Sequence, residues 1–469
     1  MKEDNHNVSR RDFLRRVGLG ASAAVATMML DPIEGLAETG RKKKKGGAGA
    51  KSEDNAAGNV APESSNRMTY RVQHGSGDRV SLLGYGMMRL PSKERKIDQD
   101  EVNREVDYAL AHGVNYFDTA PVYHGGQSEV AVGIALSRHP RSSYMVATKM
   151  SNFDRRQWPL EKSKEIYYES FRKLQVEAID YYLLHSVAGN MDELKGRFLD
   201  NGLLDFLIEE RKAGRIRNLG FSHHGDVRVF DHLLSMHDEV KWDFVQIQMN
   251  YLDWRHGKSS RNTDAEYLYD KLDKLGIQCV VMEPLRGGRL ANLPDESAQL
   301  LRERRPDDSI ASWAFRWVGS HPNVLTALSG MTTMEVLTEN VHTFSPLDTC
   351  TAEENALLER VADSVAGFPT VPCTTCRYCM PCPYGVDIPG NFAYYNKAVD
   401  SHLLPLPDKT AADYAERAQK FVEGYRQALP EESWASRCAD CEACMPKCPQ
   451  QIRIPNQLGR IVELIRRRK

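Results

Sequence analysis

Short runs of β-branched and aromatic residues recur between about residue 79 and residue 331, and longer stretches with helical spacing separate them. Parallel strands cannot be joined by a tight turn and need a helical crossover, so this alternation predicts a parallel α/β fold. The expected strands are residues 80–85, 114–118, 144–149, 180–185, 217–222, 244–250, 278–282 and 324–329, with helices between them such as 100–112, 160–174 and 309–318. Eight such units over about 250 residues match a closed (β/α)8 TIM barrel. The barrel is expected across residues 67–346, with 67–78 as a short cover at its lower end.

The chain has 469 residues, enough for two or three domains. Hydrophobic residues at 41% and charged residues at 27% fit a mostly globular chain. Lys and Arg number 62 against 64 Asp and Glu, a net charge of -2 with no basic stripe in the body of the chain. No nucleic-acid partner is expected from that balance.

Eight of the 10 cysteines fall between Cys373 and Cys448, in two tight arrays. Cys373, Cys376, Cys379 and Cys382 are each three residues apart, with Pro383 following; Cys438, Cys441, Cys444 and Cys448 end on a longer step, with Pro449 following. Spacing of this kind points to metal rather than disulfides. The second array resembles the bacterial ferredoxin pattern, in which three cysteines of one loop hold a cluster and the fourth serves its neighbour. That resemblance implies one [4Fe-4S] cluster on Cys373, Cys376, Cys379 and Cys448, and another on Cys438, Cys441, Cys444 and Cys382. The first array is one residue shorter than the ferredoxin run, and zinc is the competing metal. Gly385-Val386-Asp387-Ile388-Pro389 and Gln451-Ile452-Arg453-Ile454-Pro455 look like copies of one element. Residues 347–469 are therefore expected to form a small, mainly helical ferredoxin-like iron–sulfur domain, with a helix at 411–429 between the arrays. Cys279 and Cys350 stand outside the pattern as incidental thiols.

At the other end, Ser9-Arg10-Arg11-Asp12-Phe13-Leu14 precedes a modest apolar run over residues 17–30. This resembles a twin-arginine signal and implies export by that machinery to the periplasm, with cleavage after Ala37. The run is too short and weak for a stable membrane span. A basic amphipathic helix is the other reading. Residues 38–66, with the basic run 41–45 and few large apolar groups, read as a flexible linker.

In a TIM barrel the chemistry gathers at the C-terminal ends of the strands. There the expected strands place Asp118, Lys149 and His185, and Tyr123 follows Asp118 in the adjoining loop. Singly, each has an ordinary alternative as a loop cap, a packing ring, a solvated charge or an interior histidine. Together, Phe117-Asp118-Thr119-Ala120-Pro121-Val122-Tyr123, Ala147-Thr148-Lys149 and Tyr182-Leu183-Leu184-His185 resemble the Asp, Tyr, Lys and His tetrad of the aldo-keto reductases. The resemblance covers about residues 67–346 and implies hydride transfer between NAD(P)H and a small carbonyl or alcohol substrate, with Tyr123 handling the proton. A lysine beside Tyr123 favours its phenolate form, Asp118 holds that lysine, and His185 supports charge developing on the substrate oxygen.

The same resemblance implies Ser222 and Gln246 at the nicotinamide carboxamide, and Pro284, Leu285 and Gly287 at the pyrophosphate. It puts Gly330 and Met331 in the last strand-end turn, and Glu339 with Asn340 at the adenine. Met282 departs from the aromatic ring that many members stack on the nicotinamide, and residues 330–336 lack the basic side chains that grip a 2′-phosphate. A nicotinamide moves two electrons and a cluster one, and the chain has no flavin signature to mediate between them. The leading expectation is a carbonyl/alcohol oxidoreductase whose clusters relay electrons to a redox protein partner or regenerate a tightly held nucleotide. The alternative is a nucleotide-binding sensor or interaction module with structural clusters and no turnover.

Overall fold

The computed structural model describes residues 67–93, 96–187, 189–257, 263–405 and 412–466. The signal and linker readings fall on residues 1–66, outside the described residues. Among the described residues, no helix is long and apolar enough to cross a membrane.

Tyr70–Val72 and Arg79–Ser81 form an antiparallel hairpin, after which the chain enters the barrel. The eight barrel strands are β1 (Leu83–Gly86), β2 (Tyr116–Asp118), β3 (Met145–Met150), β4 (Ile179–Leu184), β5 (Ile216–His223), β6 (Phe244–Gln248), β7 (Gln278–Met282) and β8 (Val324–Ser329). They pair in parallel in sequence order, and β8 closes on β1. The expected strand at 80–85 is thus two strands: Val80 pairs with Arg71 in the hairpin, whereas Leu83 pairs with Ala327 in the barrel. The short run Val80-Ser81-Leu82-Leu83-Gly84-Tyr85 carries no clear break where the partner changes. The hairpin lies under the barrel, where Gln73 Nε2 donates to the Asp243 carbonyl and Gln278 Oε1 accepts from the His74 amide, each at 2.9 Å.

Every residue of β4 and β8 is buried, because one face looks into the barrel and the other onto the helices. This is why these strands read as mainly apolar runs rather than as strict alternation. The barrel interior is filled by Val80, Tyr116, Ala147, Tyr181, Phe244, Val280 and Leu325 among others. Tyr181 stands edge-on to Tyr116 and Phe244, with ring centroids 4.9 Å and 5.1 Å away. The barrel is therefore packed below, and only its C-terminal rim is open to chemistry. The outer helices start where their caps dictate: Asp98 accepts from the Glu101 amide ahead of Gln99–Ala111, and Ser309 from the Ser312 amide ahead of Ile310–Gly319.

The helix Ala352–Ala366 opens with a Thr351/Glu354 capping box and buries Leu358, Val361 and Val365 in the core shared with the barrel helices. The separate core of the C-terminal segment begins at Val371, later than the expected boundary after residue 346. Three helices, Ile388–Asp400, Tyr414–Ala428 and Ile454–Arg466, enclose it around Phe392, Tyr395, Phe421, Tyr425 and Ile461. Two of these open with Ile-Pro, at Ile388 and Ile454, as the sequence copies suggest. The repeat extends to the backbone of the cysteine loops. Thr375 and Arg377 adopt left-handed φ of 54° and 65°, and Asp440 and Glu442, at the matching positions of the second loop, 54° and 56°. Barrel and C-terminal segment pack as one compact unit.

Candidate active site

β2 ends on Asp118 and β3 carries Lys149, so neighbouring strands bring the pair together inside the rim. Lys149 Nζ donates to Asp118 Oδ1 at 2.5 Å and to the Thr119 carbonyl at 2.8 Å, and both side chains are buried. Burial lowers the lysine and raises the aspartate, while their mutual attraction opposes both shifts. Tyr123 opens a short 3-10 turn after β2, and its ring centroid lies 5.2 Å from Lys149 Nζ. His185 follows β4 directly, its ring centroid 5.9 Å from that of Tyr123. All four line one cleft.

The expectation that Lys149 draws Tyr123 toward phenolate is not met in this state. Burial, followed by interaction with the neighbouring Tyr378 and the charge of Asp118, raises the Tyr123 hydroxyl well above the usual phenol range. The ammonium is instead engaged with Asp118 and the Thr119 carbonyl. These surroundings favour the protonated phenol of Tyr123. His185 is pushed well below the usual histidine range by burial and by Lys149 and Arg197, so its ring is neutral. Its Nδ1 lies 2.6 Å from Ser151 Oγ, which fixes the ring's orientation, and its carbonyl accepts from Arg197 Nη2 at 2.8 Å. Arg197 is 1% exposed, paired with Glu193 at 2.9 Å, and stacks 4.7 Å from the Phe153 centroid. Neither Ser151 nor Arg197 carries a sequence signal for this role, because each supports His185 from another element.

Ser222 and Gln246 line the cleft beside the tetrad, as do Met282, Pro284, Leu285, Gly287 and Gly330. Gln246 is buried, with Nε2 donating to Met282 Sδ at 3.5 Å and Oε1 lacking a partner. An unpaired buried acceptor beside Ser222 is what a carboxamide N–H₂ can satisfy, so the nicotinamide end of a nucleotide fits these residues. Gly287 does more than line the cleft: its α-carbon is pressed against the backbone of Thr374, so the C-terminal segment covers the residue expected to cradle the pyrophosphate. Beside it Glu283 is half-buried, with its carboxyl raised by desolvation, on a residue with φ of 57°.

Met331, Glu339 and Asn340 do not line the cleft. Met331 is buried, with its carbonyl accepting from the Tyr85 hydroxyl at 2.7 Å. Asn340 Nδ2 donates to Ser329 Oγ at 2.9 Å, and Glu339 is exposed on the helix Met334–Thr343.

The cleft is roofed by Cys376, Tyr378, Pro449 and Gln450, with Arg89 on its wall. Arg89 Nη2 donates to the Thr374 carbonyl, and Gln450 Nε2 to Gln248 Oε1 at 2.7 Å, so both cysteine loops are tied to the barrel rim. The eight cysteines fall into two sets. Cys373, Cys376, Cys379 and Cys448 act electrostatically on one another and line one cavity; Cys444 is influenced by Cys438, Cys441 and Cys382, which line a second. Each set thus takes three thiols from one array and one from the other. The Thr375 amide donates to Cys373 Sγ at 3.4 Å, a bond that favours the thiolate a metal needs. Among the described residues, no three His, Cys, Asp or Glu groups converge as the ligands of a single ion do. The thiols around each cavity are of the kind that hold the corners of an iron–sulfur cubane.

Comparison with known proteins agrees with this division. Residues 82–363 match the model of the aldo/keto reductase family, and residues 372–454 that of the 4Fe-4S dicluster domain. L-galactose dehydrogenase of Arabidopsis thaliana is 24% identical over 310 residues, which span 62% of this chain and 93% of that protein. Protein tas of Escherichia coli is 26% identical over 324 residues, 58% of this chain and 91% of that one. Among solved structures, the holo form of the aldo-keto reductase AKR11C1 from Bacillus halodurans superposes with a TM-score of 0.52 at 26% identity, covering 63% of this chain and 96% of that one. With its tetrad at one strand-end cleft and its cysteine loops folded over that cleft, the chain belongs to the aldo/keto reductase family and carries a C-terminal 4Fe-4S dicluster domain.

Proposed function

We propose that this chain is a nicotinamide-dependent carbonyl/alcohol oxidoreductase whose two [4Fe-4S] clusters exchange electrons with the barrel site and with a redox protein partner. The observation that carries the reading is the shared cleft: Cys376 and Tyr378 of the first cysteine loop and Pro449 and Gln450 of the second line the same space as Asp118, Tyr123, Lys149 and His185. A nicotinamide, when bound, would supply or accept hydride, and two clusters would together balance it, each taking or giving one electron while the hydrogen leaves or enters as a proton. Ser222 and Gln246 are suited to hold the nicotinamide, and the two sets of four cysteines to hold the clusters.

In the reducing direction Tyr123, kept protonated by burial, gives its hydroxyl proton to the substrate oxygen. His185, neutral and oriented by Ser151, hydrogen-bonds that oxygen through Nε2 as negative charge develops on it. Lys149, held by Asp118 and the Thr119 carbonyl, supplies a nearby positive charge that steadies the tyrosine once its proton has left. The Arg10-Arg11 run and the apolar stretch after it support export of the folded protein to the periplasm by the twin-arginine route. That route suits a chain that acquires its clusters and nucleotide before crossing the membrane.

The test is an anaerobic titration of the purified protein with NADH and then NADPH, following the broad visible absorbance of the clusters. Bleaching is the expected result. An unchanged spectrum with nucleotide bound and clusters intact would make the clusters structural and reduce the reading to ordinary carbonyl reduction.

A further inference from the structure

Tyr378 is contributed by the iron–sulfur segment, yet its hydroxyl lies in the barrel's cleft. It sits 3.4 Å from His185 Nε2 and shares the cleft with the Tyr123 side chain, close enough for the two phenols to influence each other. Its ring stands edge-on to that of His185 and tilted to Phe153, both at a centroid distance of 6.4 Å. The two groups it touches are those that bind the substrate oxygen in the reading proposed above, on which this inference rests. A phenolic oxygen between them occupies the same place, with the same partners, as the oxygen of an alcohol or carbonyl.

The cysteine loop itself does not call for a tyrosine there. In the second loop, which repeats the left-handed turns of the first at matching positions, Ala443 stands where Tyr378 stands in the first. Arg377, the residue before Tyr378, is the one held at φ of 65°, and Cys376 and Cys379 anchor the loop on either side. The position of the phenol is thus set by the cluster loop, and its purpose lies in the cleft.

We propose that Tyr378 is a specificity-determining residue that serves as a built-in occupant of the substrate-oxygen site, so that a substrate binds by displacing its hydroxyl from His185 and Tyr123. The exchange trades the phenol's contacts with these two groups for those of the substrate oxygen. Only ligands whose oxygen replaces both contacts compete well, and weaker oxygen ligands are kept out. Because Tyr378 lies between two cluster ligands, its displacement also reaches the cluster of Cys373, Cys376, Cys379 and Cys448.

The probe is acetate, a compact oxygen acceptor, titrated by calorimetry into the cluster-loaded protein and into its Tyr378→Phe and Tyr378→Ala variants, with iron content measured alongside. Removing the competing hydroxyl should tighten acetate binding about three- to tenfold in both variants, the value of roughly one lost hydrogen bond. Unchanged or weaker binding would overturn the proposal, the second outcome marking Tyr378 as a partner of the bound oxygen rather than its rival. Should a variant lose iron, the wild type decides: acetate should shift the visible circular dichroism of the clusters saturably, and a silent titration overturns the proposal. Acetate carries no hydride, so failure here leaves the oxidoreductase reading standing; that reading fails separately, if nucleotide binds without bleaching the clusters.

Discussion

The α-carbon of Gly287 lies so close to Thr374 that a β-carbon on it would stand 2.6 Å from the Thr374 carbonyl oxygen and 2.7 Å from its α-carbon. With φ of 68°, Gly287 also occupies a conformation that side chains disfavour. Barrel and iron–sulfur segment therefore meet backbone to backbone at a point where only glycine fits. Gly287→Ala should loosen the first cysteine loop and cost about 1–3 kcal/mol. The measurement is the urea midpoint, read together with proteolysis around Gly367, which should become faster. A variant with an unchanged midpoint and unchanged cleavage would show that the loop yields without cost.

Asp118→Asn leaves Lys149 buried with only the Thr119 carbonyl and a neutral amide for company. Breaking a buried ion pair from one side costs about 3–5 kcal/mol, most of it the penalty of the stranded charge. The double variant Asp118→Asn/Lys149→Met removes that charge and should recover most of the loss. Denaturation midpoints of the three proteins give the answer; a double variant no more stable than Asp118→Asn would mean that the lysine is not charged in the folded state.

Tyr123→Phe keeps the ring and removes the proton donor. Carbonyl reduction should fall by about 10²- to 10⁴-fold, the usual range for a general acid, while nucleotide affinity stays the same. A sensor without turnover would show no activity to lose. Ser151→Ala acts one step back: without the hydroxyl 2.6 Å from Nδ1, the His185 ring loses the partner that fixes its tautomer. About tenfold should be lost from kcat with little change in KM, since one hydrogen bond of roughly 1.4 kcal/mol is a factor of 10 in rate.

Much of this architecture is legible in the chain alone, and the physical reason is locality. Strand runs such as 278–282 and 324–329 announce themselves because a strand buried on both faces is predominantly apolar. The tetrad is visible because three of its members sit at the ends of successive strands, a placement that secondary structure fixes. The mixing of the two cysteine arrays around each cavity is what the resemblance to the ferredoxin pattern implies. Hidden features arise from packing between distant parts. Tyr378 reads as an ordinary residue between two cysteines until the loop is folded over the rim, and Gly287 reads as a phosphate turn until Thr374 arrives beside it. Arg197 looks like a surface charge in a helical stretch, yet it is buried beneath the His185 carbonyl. Position 80 failed for a different reason: one short unbroken run served two strands with different partners.

His185 also makes a prediction about pH. Burial, reinforced by Lys149 and Arg197, depresses it well below the ordinary histidine value, so it stays neutral when folded and takes up its proton on unfolding. Between the unfolded value of about 6.5 and the depressed folded value, the unfolded chain binds the extra proton; stability from this group is complete above about pH 6.5 and declines as the pH falls. The slope is about 1.4 kcal/mol per pH unit for one such group. His224, lowered to about 4, and His223, lowered to about 3, act with the same sign, again through burial. The raised carboxyls of Asp118 and Glu283 act in the opposite sense, since each binds its proton more readily when folded. Comparing wild type with His185→Gln isolates one histidine from this sum. Between about pH 6 and pH 5, the urea stability of the variant should fall less steeply, by about 1.4 kcal/mol per pH unit. Parallel curves would mean that His185 carries a proton in the folded protein, and its Nε2 would then act only as a charged donor toward the substrate oxygen.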